Sequence, residues 1–192
     1  MKTLQPTDLM TLELYARERP AFRTRVIAHK KRRTVAVGPN ITLIFEDRLT
    51  VKYQVQEMLR IERIFEPDGI AEELAAYNPL IPDGTNLKAT MLIEFPDPAV
   101  RAEQLRLLKG VERAVCLLID GVRIPPIADE DLDRENDEKT SAVHFMRYQV
   151  PEALRPGFGS VSVAVSVEHP AYRHMITLTE ETRASLGRDL AD

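Results

Sequence analysis

Five polar side chains in the middle of the chain could together form a site for a small molecule. Glu62 lies in a predicted helix, Asp83 and Asn86 lie in a loop, and Glu94 and His144 lie in predicted strands. The loop must pack near the helix and the strand that it connects, so these residues could meet. Carboxylates and imidazoles can transfer protons or hold ligands. A small enzyme or ligand-binding protein with this pocket is therefore one hypothesis.

Glu62 is notable because it interrupts an apolar stripe. The period of 3.6 residues predicts a helix over residues 49–65, in which Glu62 lies between Val55 and Met58 on one face. A carboxylate buried there must be paired, protonated or bound to a metal. The pattern favours an ion pair with an arginine or a stripe that ends at the surface. The alternative is a pocket carboxylate with a raised pKa. Glu57 and Arg60 are expected to form an exposed ion pair.

A basic helix is predicted over residues 17–33, and it could form a nucleic-acid interface. Its positive charges are spread around the helix and no aromatic side chains alternate with them, so stacking on bases is not favoured. The acidic residues 129–138 could dock on this helix and neutralise it. Nucleic-acid binding through this helix is therefore the less favoured alternative, and solvated or intramolecularly neutralised charge is expected instead. The densest basic residues are Arg23, Arg25, Lys30, Lys31, Arg32 and Arg33.

No residue pattern identifies a metal, a cofactor or a catalytic nucleophile. The four histidines have none of the spacings typical of zinc or di-iron sites. Cys116 lies within an apolar strand and is expected to be a small buried side chain. The common hydrolase, NTPase and dinucleotide motifs do not occur. The sequence therefore assigns no catalytic residue, and the cofactor stays unknown.

The composition is that of one ordinary globular domain. The chain has 192 residues, 44% of them hydrophobic and 29% charged, with a net charge of -4. Its length suits one domain over residues 1–192. A single cysteine and the lack of a long apolar run predict a cytoplasmic protein without a membrane partner.

The predicted elements alternate irregularly between helices and hairpins, which favours an α+β fold with a mainly antiparallel sheet and helices packed on one face. Pro20 is expected to start the basic helix, after a first helix from Asp8 to about Ala16. Asp120 and Gly121 predict a tight hairpin turn. Predicted strands are residues 34–37, 41–45, 87–95, 111–119, 122–127, 142–150 and 160–167. The other predicted helices are 69–77, 99–109 and a last one capped by Thr179 or Thr177.

Three stretches resemble a bacterial family described only as a domain of unknown function. They are residues 53–65 (YQVQEMLRIERIF), residues 77–90 (YNPLIPDGTNLKAT) and the pair 127–136 and 139–145 (IADEDLDREN and KTSAVHF). The resemblance covers most of the chain. It implies a free-standing bacterial protein, often encoded beside rubrerythrin-like and iron-sulfur oxidoreductase-like proteins. It transfers no catalytic residue.

The leading hypothesis is therefore a non-enzymatic accessory or binding module that serves a redox or oxidative-stress system. The absence of catalytic motifs and the gene neighbourhood implied by the resemblance motivate it. A redox protein is the expected partner, and a homodimer is also compatible with the sequence.

Overall fold

Helices and strands alternate irregularly along the chain, as the sequence predicts. The computed structural model describes residues 2–128, 130 and 139–190. Within these residues the helices are α1 (Leu12–Lys31), α2 (Arg48–Glu62), α3 (Pro67–Tyr77), α4 (Pro98–Leu107) and α5 (Glu180–Gly187). The strands are β1 (Thr34–Ala36), β2 (Ile41–Glu46), β3 (Asn86–Ile93), β4 (Val115–Ile119), β5 (Val122–Ile124), β6 (Ile127–Ala128), β7 (Val143–Gln149), β8 (Val163–His169) and β9 (Tyr172–Thr177).

The strands form two antiparallel sheets that pack face to face. The first sheet has the order β1-β2-β3-β7-β6, and the second has the order β5-β4-β8-β9. Side chains alternate along each strand, so Leu87 and Met91 of β3 face the second sheet while Thr90 faces away from it. The predicted α+β class with antiparallel pairing is confirmed. The division into two sheets was not predicted, because the pattern of each strand is local.

Helices α1, α2 and α3 form a third layer beside the first sheet. Val51, Val55 and Leu59 of α2 form one apolar cluster with Leu74 of α3 and with Ile81. The helix begins where predicted, because the Asp47 carboxylate accepts hydrogen bonds from the backbone N–H groups of the first turn. It ends at Glu62, three residues earlier than predicted. Among the described helices, none is long and apolar enough to cross a membrane.

The predicted break at Pro20 is wrong, because α1 is one helix that starts after Thr11 and continues through the proline. Apolar side chains on both sides of Pro20, Tyr15 and Phe22, belong to one cluster packed against α2. The stabilisation from this packing outweighs the loss of the one helical hydrogen bond that Pro20 cannot donate. The two segments therefore form one continuous helix. The helix predicted from Asp8 to about Ala16 begins later, at Leu12 as the first part of α1, and a short 3₁₀ turn at Pro6–Asp8 precedes it.

The Asp120-Gly121 turn forms as predicted, with φ values of 49° and 79° that suit a type I′ hairpin. Strand β5 follows it at the edge of the second sheet and ends before Pro125. The predicted cap of the last helix is also correct, since the Thr179 side chain accepts a hydrogen bond from the Thr182 N–H. The turn and the cap are both determined by local residue patterns, so they could be predicted without knowledge of the tertiary contacts.

A buried arginine joins the helices to the first sheet. Only 1% of Arg33 is exposed. Its Nε donates to the Phe45 carbonyl at 2.9 Å and its Nη2 to the Glu46 carbonyl at 3.0 Å. Its guanidinium also pairs with Asp189, near the end of the described chain, and with Asp47 at 3.5 Å. One side chain thus connects the end of α1, the end of β2, the start of α2 and the C-terminal segment.

Replacing Asp189 with alanine should lower the free energy of unfolding by about 3 kcal/mol, because it leaves a buried guanidinium short of one carboxylate. Denaturant unfolding measures this change. Glu181→Ala is the matched control, since its 2.8 Å pair with Arg32 is exposed and should contribute less than about 1 kcal/mol. Equal effects of the two substitutions would contradict the role given to Arg33.

Glu57 links α2 to α1, and its hydrogen bonds make the free energy of unfolding depend on pH. Its carboxylate accepts hydrogen bonds from Arg19 Nε at 2.7 Å, Arg19 Nη2 at 2.8 Å and the Tyr15 hydroxyl at 2.6 Å. The hydrogen bonds from Arg19, followed by that from Tyr15, lower the pKa of Glu57 from 4.5 to about 2 against the opposing effect of burial. The native state therefore favours the ionised carboxylate.

Glu57→Gln should accordingly reduce the free energy of unfolding by roughly 2 kcal/mol at neutral pH. Because the native pKa lies below the unfolded one, this difference should be complete above pH 4.5 and should disappear as the pH falls toward 2. Denaturant titrations of both proteins across this range measure it. A difference that stays constant with pH would refute the assignment.

Candidate functional site

A pocket of about 270 Å³ lies between the outer face of the first sheet and helices α2 and α3. Its walls are largely apolar and come from the sheet, from α2 and from the segment after α3. The apolar and aromatic residues are Ile44, Val51, Tyr77, Leu80, Val143 and Phe145. The polar residues are Lys30, Glu46, Gln54 and Thr90. Apolar walls with a few converging polar groups are typical of small-molecule sites.

Glu46 reaches this pocket because of the strand period. In β2, Ile41, Leu43 and Phe45 face the second sheet, so Glu46 points to the helical side. The chain turns into α2 directly after it, and only 8% of Glu46 stays exposed. A strand that ends immediately before a capped helix thus places a carboxylate beneath that helix.

Two threonine hydroxyls hold the Glu46 carboxylate. Thr50 Oγ1 donates to Oε2 at 2.5 Å, and Thr90 Oγ1 donates to Oε1 at 2.8 Å. No described residue forms an ion pair with the Glu46 carboxylate, and its oxygens have no further hydrogen-bond partner among the described residues. The carboxylate is therefore fixed in direction while its charge lacks a cation, which is a costly arrangement for a buried acid.

Lys30 is the nearest basic residue in the pocket lining. It is half-buried at the end of α1. Its ammonium group forms no ion pair with Glu46 or with any other described residue. The pocket therefore offers an acidic group and a separate basic group between apolar walls. Such a site can bind a molecule that carries a cation, or a cation together with an anion.

The structure places Glu62 away from this pocket. Glu62 is the last residue of α2 and is exposed, because Arg63 takes a left-handed conformation with φ 56° and ends the helix. The apolar stripe therefore ends at the surface, which is one of the two readings that the sequence favoured. The expected pair of Glu57 and Arg60 does form, at 3.4 Å. Glu57 is, however, mostly covered by its stronger contacts with α1.

The other predicted site residues also lie apart. Asn86 and Glu94 are eight positions apart along β3 and the residue after it, which is about 26 Å of extended chain. Asp83 is exposed and accepts hydrogen bonds from Thr85. His144 is fully buried on the opposite face of the first sheet, with Nε2 at 2.8 Å from Thr140 Oγ1.

Of the five predicted site residues, therefore, the structure brings together only Asp83 and Asn86. The others lie apart because residues at opposite ends of a strand are far from each other, and because side chains on opposite faces of a sheet point away from each other. His144 shares a strand face with Met146 and Tyr148. That face belongs to the core, so the histidine cannot reach the helical side of the sheet.

The six predicted basic residues do not form one surface. Arg33 is buried, Arg32 pairs with Glu181, and the Arg25 guanidinium lies 5.0 Å from the centre of the Phe22 ring. Arg23 and Lys31 are exposed, whereas Lys30 lines the pocket. The acidic stretch expected to dock on the helix falls largely on residues outside the described part. Its one described member, Glu130, pairs with Arg147 instead, at 2.6 Å.

Glu46 was not among the site residues predicted from the sequence, although the strand pattern around it indicates its position. Thr42, Ile44 and Glu46 alternate with Ile41, Leu43 and Phe45, and the predicted helix over residues 49–65 begins three positions after Glu46. A helix that packs back on that strand must cover the face that carries Glu46. Within residues 2–128, 130 and 139–190, no group of three or more His, Cys, Asp or Glu side chains is arranged to hold a metal ion.

The chain matches the family model described as a protein of unknown function (DUF3501) over residues 3–190. Curated proteins give no match. The chain is similar to a crystal structure of a protein of unknown function from Burkholderia pseudomallei K96243, with 45% sequence identity and a TM-score of 0.93. That match covers 98% of this chain and 100% of the other. The family predicted from the sequence is confirmed, and the chain belongs to the DUF3501 family.

Proposed function

We propose that this protein binds a small amphipathic amine in the pocket between the first sheet and helices α2 and α3. The ammonium group pairs with Glu46, and the apolar part of the molecule contacts the walls. The observation that supports this most directly is the Glu46 carboxylate, which is 8% exposed and has two hydroxyl donors but no cationic partner.

Electrostatics favours a cationic ligand. A buried carboxylate without a counter-charge raises the free energy of the empty site, and a bound ammonium group would remove that cost. The threonine hydroxyls of Thr50 and Thr90 fix the two oxygens before binding, which reduces the entropy lost on association. An acidic ligand would instead place like charges together.

The size of the pocket limits the ligand. A volume of about 270 Å³ lies just below the roughly 300–1,000 Å³ typical of ligand sites. A molecule with one ring or a short branched chain fits this limit. Because Lys30 lines the same pocket, a carboxylate on such an amine would gain a second contact. Amino acids with an apolar side chain combine these features.

The accessory role expected from the sequence stays a prediction alongside this proposal. A binding protein that does no chemistry of its own can serve a redox system by holding one of its small molecules. A pull-down from the native host tests the redox link separately. Recovery of no redox protein would count against that link and leave the amine proposal unaffected.

Calorimetric titration with three matched probes tests the amine proposal. We expect β-phenylethylamine and L-phenylalanine to bind, and 3-phenylpropionate to bind at least about tenfold more weakly, a difference of ~1.4 kcal/mol. Glu46→Gln keeps the shape but removes the charge, and its amide oxygen can still accept a hydrogen bond from one of the two threonines. It should weaken both amines by about tenfold or more. Of the two amines, Lys30→Met should weaken only L-phenylalanine, because β-phenylethylamine has no carboxylate to contact Lys30.

Glu94→Gln is the matched control, because Glu94 also accepts a hydrogen bond from a threonine, Thr42 at 2.9 Å, but is exposed outside the pocket. It should leave all three affinities unchanged, and thermal melting checks that each variant is folded. The proposal would be overturned if 3-phenylpropionate bound as tightly as β-phenylethylamine. It would also be overturned if Glu46→Gln left the affinity for the amines unchanged.

A further inference from the structure

An apolar groove of about 320 Å³ lies at the other end of the helical layer, away from the Glu46 pocket. It is formed where the segment before α1 meets the end of α2 and the start of α3. Leu59 lies at its buried side, and its other apolar residues include Leu9, Leu12, Ile64, Phe65 and Ile70. The groove therefore presents aliphatic and aromatic side chains without a covering element among the described residues.

Two large apolar side chains near the end of α2 are unusually exposed, and one of them, Phe65, lines this groove. Ile61 is 60% exposed and Phe65 is 67% exposed, the highest value among the large hydrophobic residues described. The left-handed Arg63 lies between them, and it directs the chain so that Phe65 leaves the helix axis. Large apolar side chains that adjoin a groove mark an interaction surface more often than scattered ones do.

Carboxylates surround the groove. Glu13 lines it, and other acids lie in or beside the segments that form it: Glu62, Glu66, Asp68, Glu72 and Glu73. No ion pair with a described residue neutralises any of these six carboxylates. In the same segments, Arg60 pairs with Glu57, so Arg63 is the main basic residue nearby. The surface is thus apolar at its centre and negative at its edge.

Glu73 gives a specific anchor for a cation. Its Oε2 is buried and has no hydrogen-bond partner among the described residues. Burial, and then the charges of Glu62 and Glu72, raise the pKa of Glu73. Glu73 lies one helical turn after Ile70, so a positive side chain above the groove could reach it.

We infer that this groove binds a basic amphipathic helix of a partner protein. Apolar residues of that helix, spaced by three and four positions, contact Phe65, Ile61 and the groove, while its lysines or arginines face the surrounding carboxylates. Charge complementarity selects this occupant over an acidic or neutral helix. The inference does not depend on the Glu46 pocket, because the two surfaces share no lining residue.

Fluorescence anisotropy with a labelled synthetic peptide tests the inference on the full chain. The probe is a helix of about fourteen residues with leucine at helical spacing and lysine elsewhere, and the reference probe replaces lysine with glutamate. We expect the lysine peptide to bind at least about tenfold more tightly than the glutamate peptide, and its affinity to fall as salt rises. The double substitution Ile61→Ser with Phe65→Ser should weaken it by about tenfold or more.

Met175→Ser is the matched control, because Met175 is 66% exposed but lies in β9 of the second sheet. It should change the affinity by less than about twofold. Glu62→Gln with Glu73→Gln should weaken the lysine peptide and reduce its salt dependence. Equal loss with Met175→Ser, or equal binding of the glutamate peptide, would overturn the inference. So would sedimentation showing that the groove residues mediate self-association of the chain.

Discussion

The buried guanidinium of Arg33 determines how the helical layer sits on the first sheet. It holds the carbonyls of Phe45 and Glu46 and the carboxylates of Asp189 and Asp47. An arginine can do this because its five donors form a rigid planar fork. Since removal of one partner leaves a buried charge, the elements around Arg33 must stay together. The end of β2 and the start of α2 are therefore fixed relative to each other.

This constraint positions the proposed binding site. With the Glu46 backbone held by Arg33, the side chain can only extend toward the helical layer, where Thr50 and Thr90 orient it. The neighbouring Asp47 caps α2 and is closely paired, whereas Glu46 has no cation. Two consecutive acids thus have different roles, one structural and one available to a ligand. The apolar groove lies at the opposite end of α2, so small-molecule and protein binding need not compete.

The sequence was sufficient for features that depend on local patterns. The hairpin at Asp120-Gly121, most of the strands, the cap at Thr179 and helix α2 follow from turn residues and periodicity, whereas strand β9 was not predicted. It was insufficient where tertiary packing determines whether a helix continues, as it does at Pro20. It was also insufficient where the burial of a side chain depends on which face of its strand another element covers. Glu62 was singled out because the stripe was extended beyond the end of the helix. Glu46 was missed because a strand pattern does not show what packs on its outer face.

A crystal structure of the protein with β-phenylethylamine would test the proposed site most directly. We expect the amine nitrogen within about 3 Å of the Glu46 carboxylate, between the Thr50 and Thr90 hydroxyls, with the ring against Ile44 and Phe145. A pocket in which the Lys30 ammonium occupies that position while the amine is absent would contradict it. In that case Glu46 would be one half of an internal ion pair.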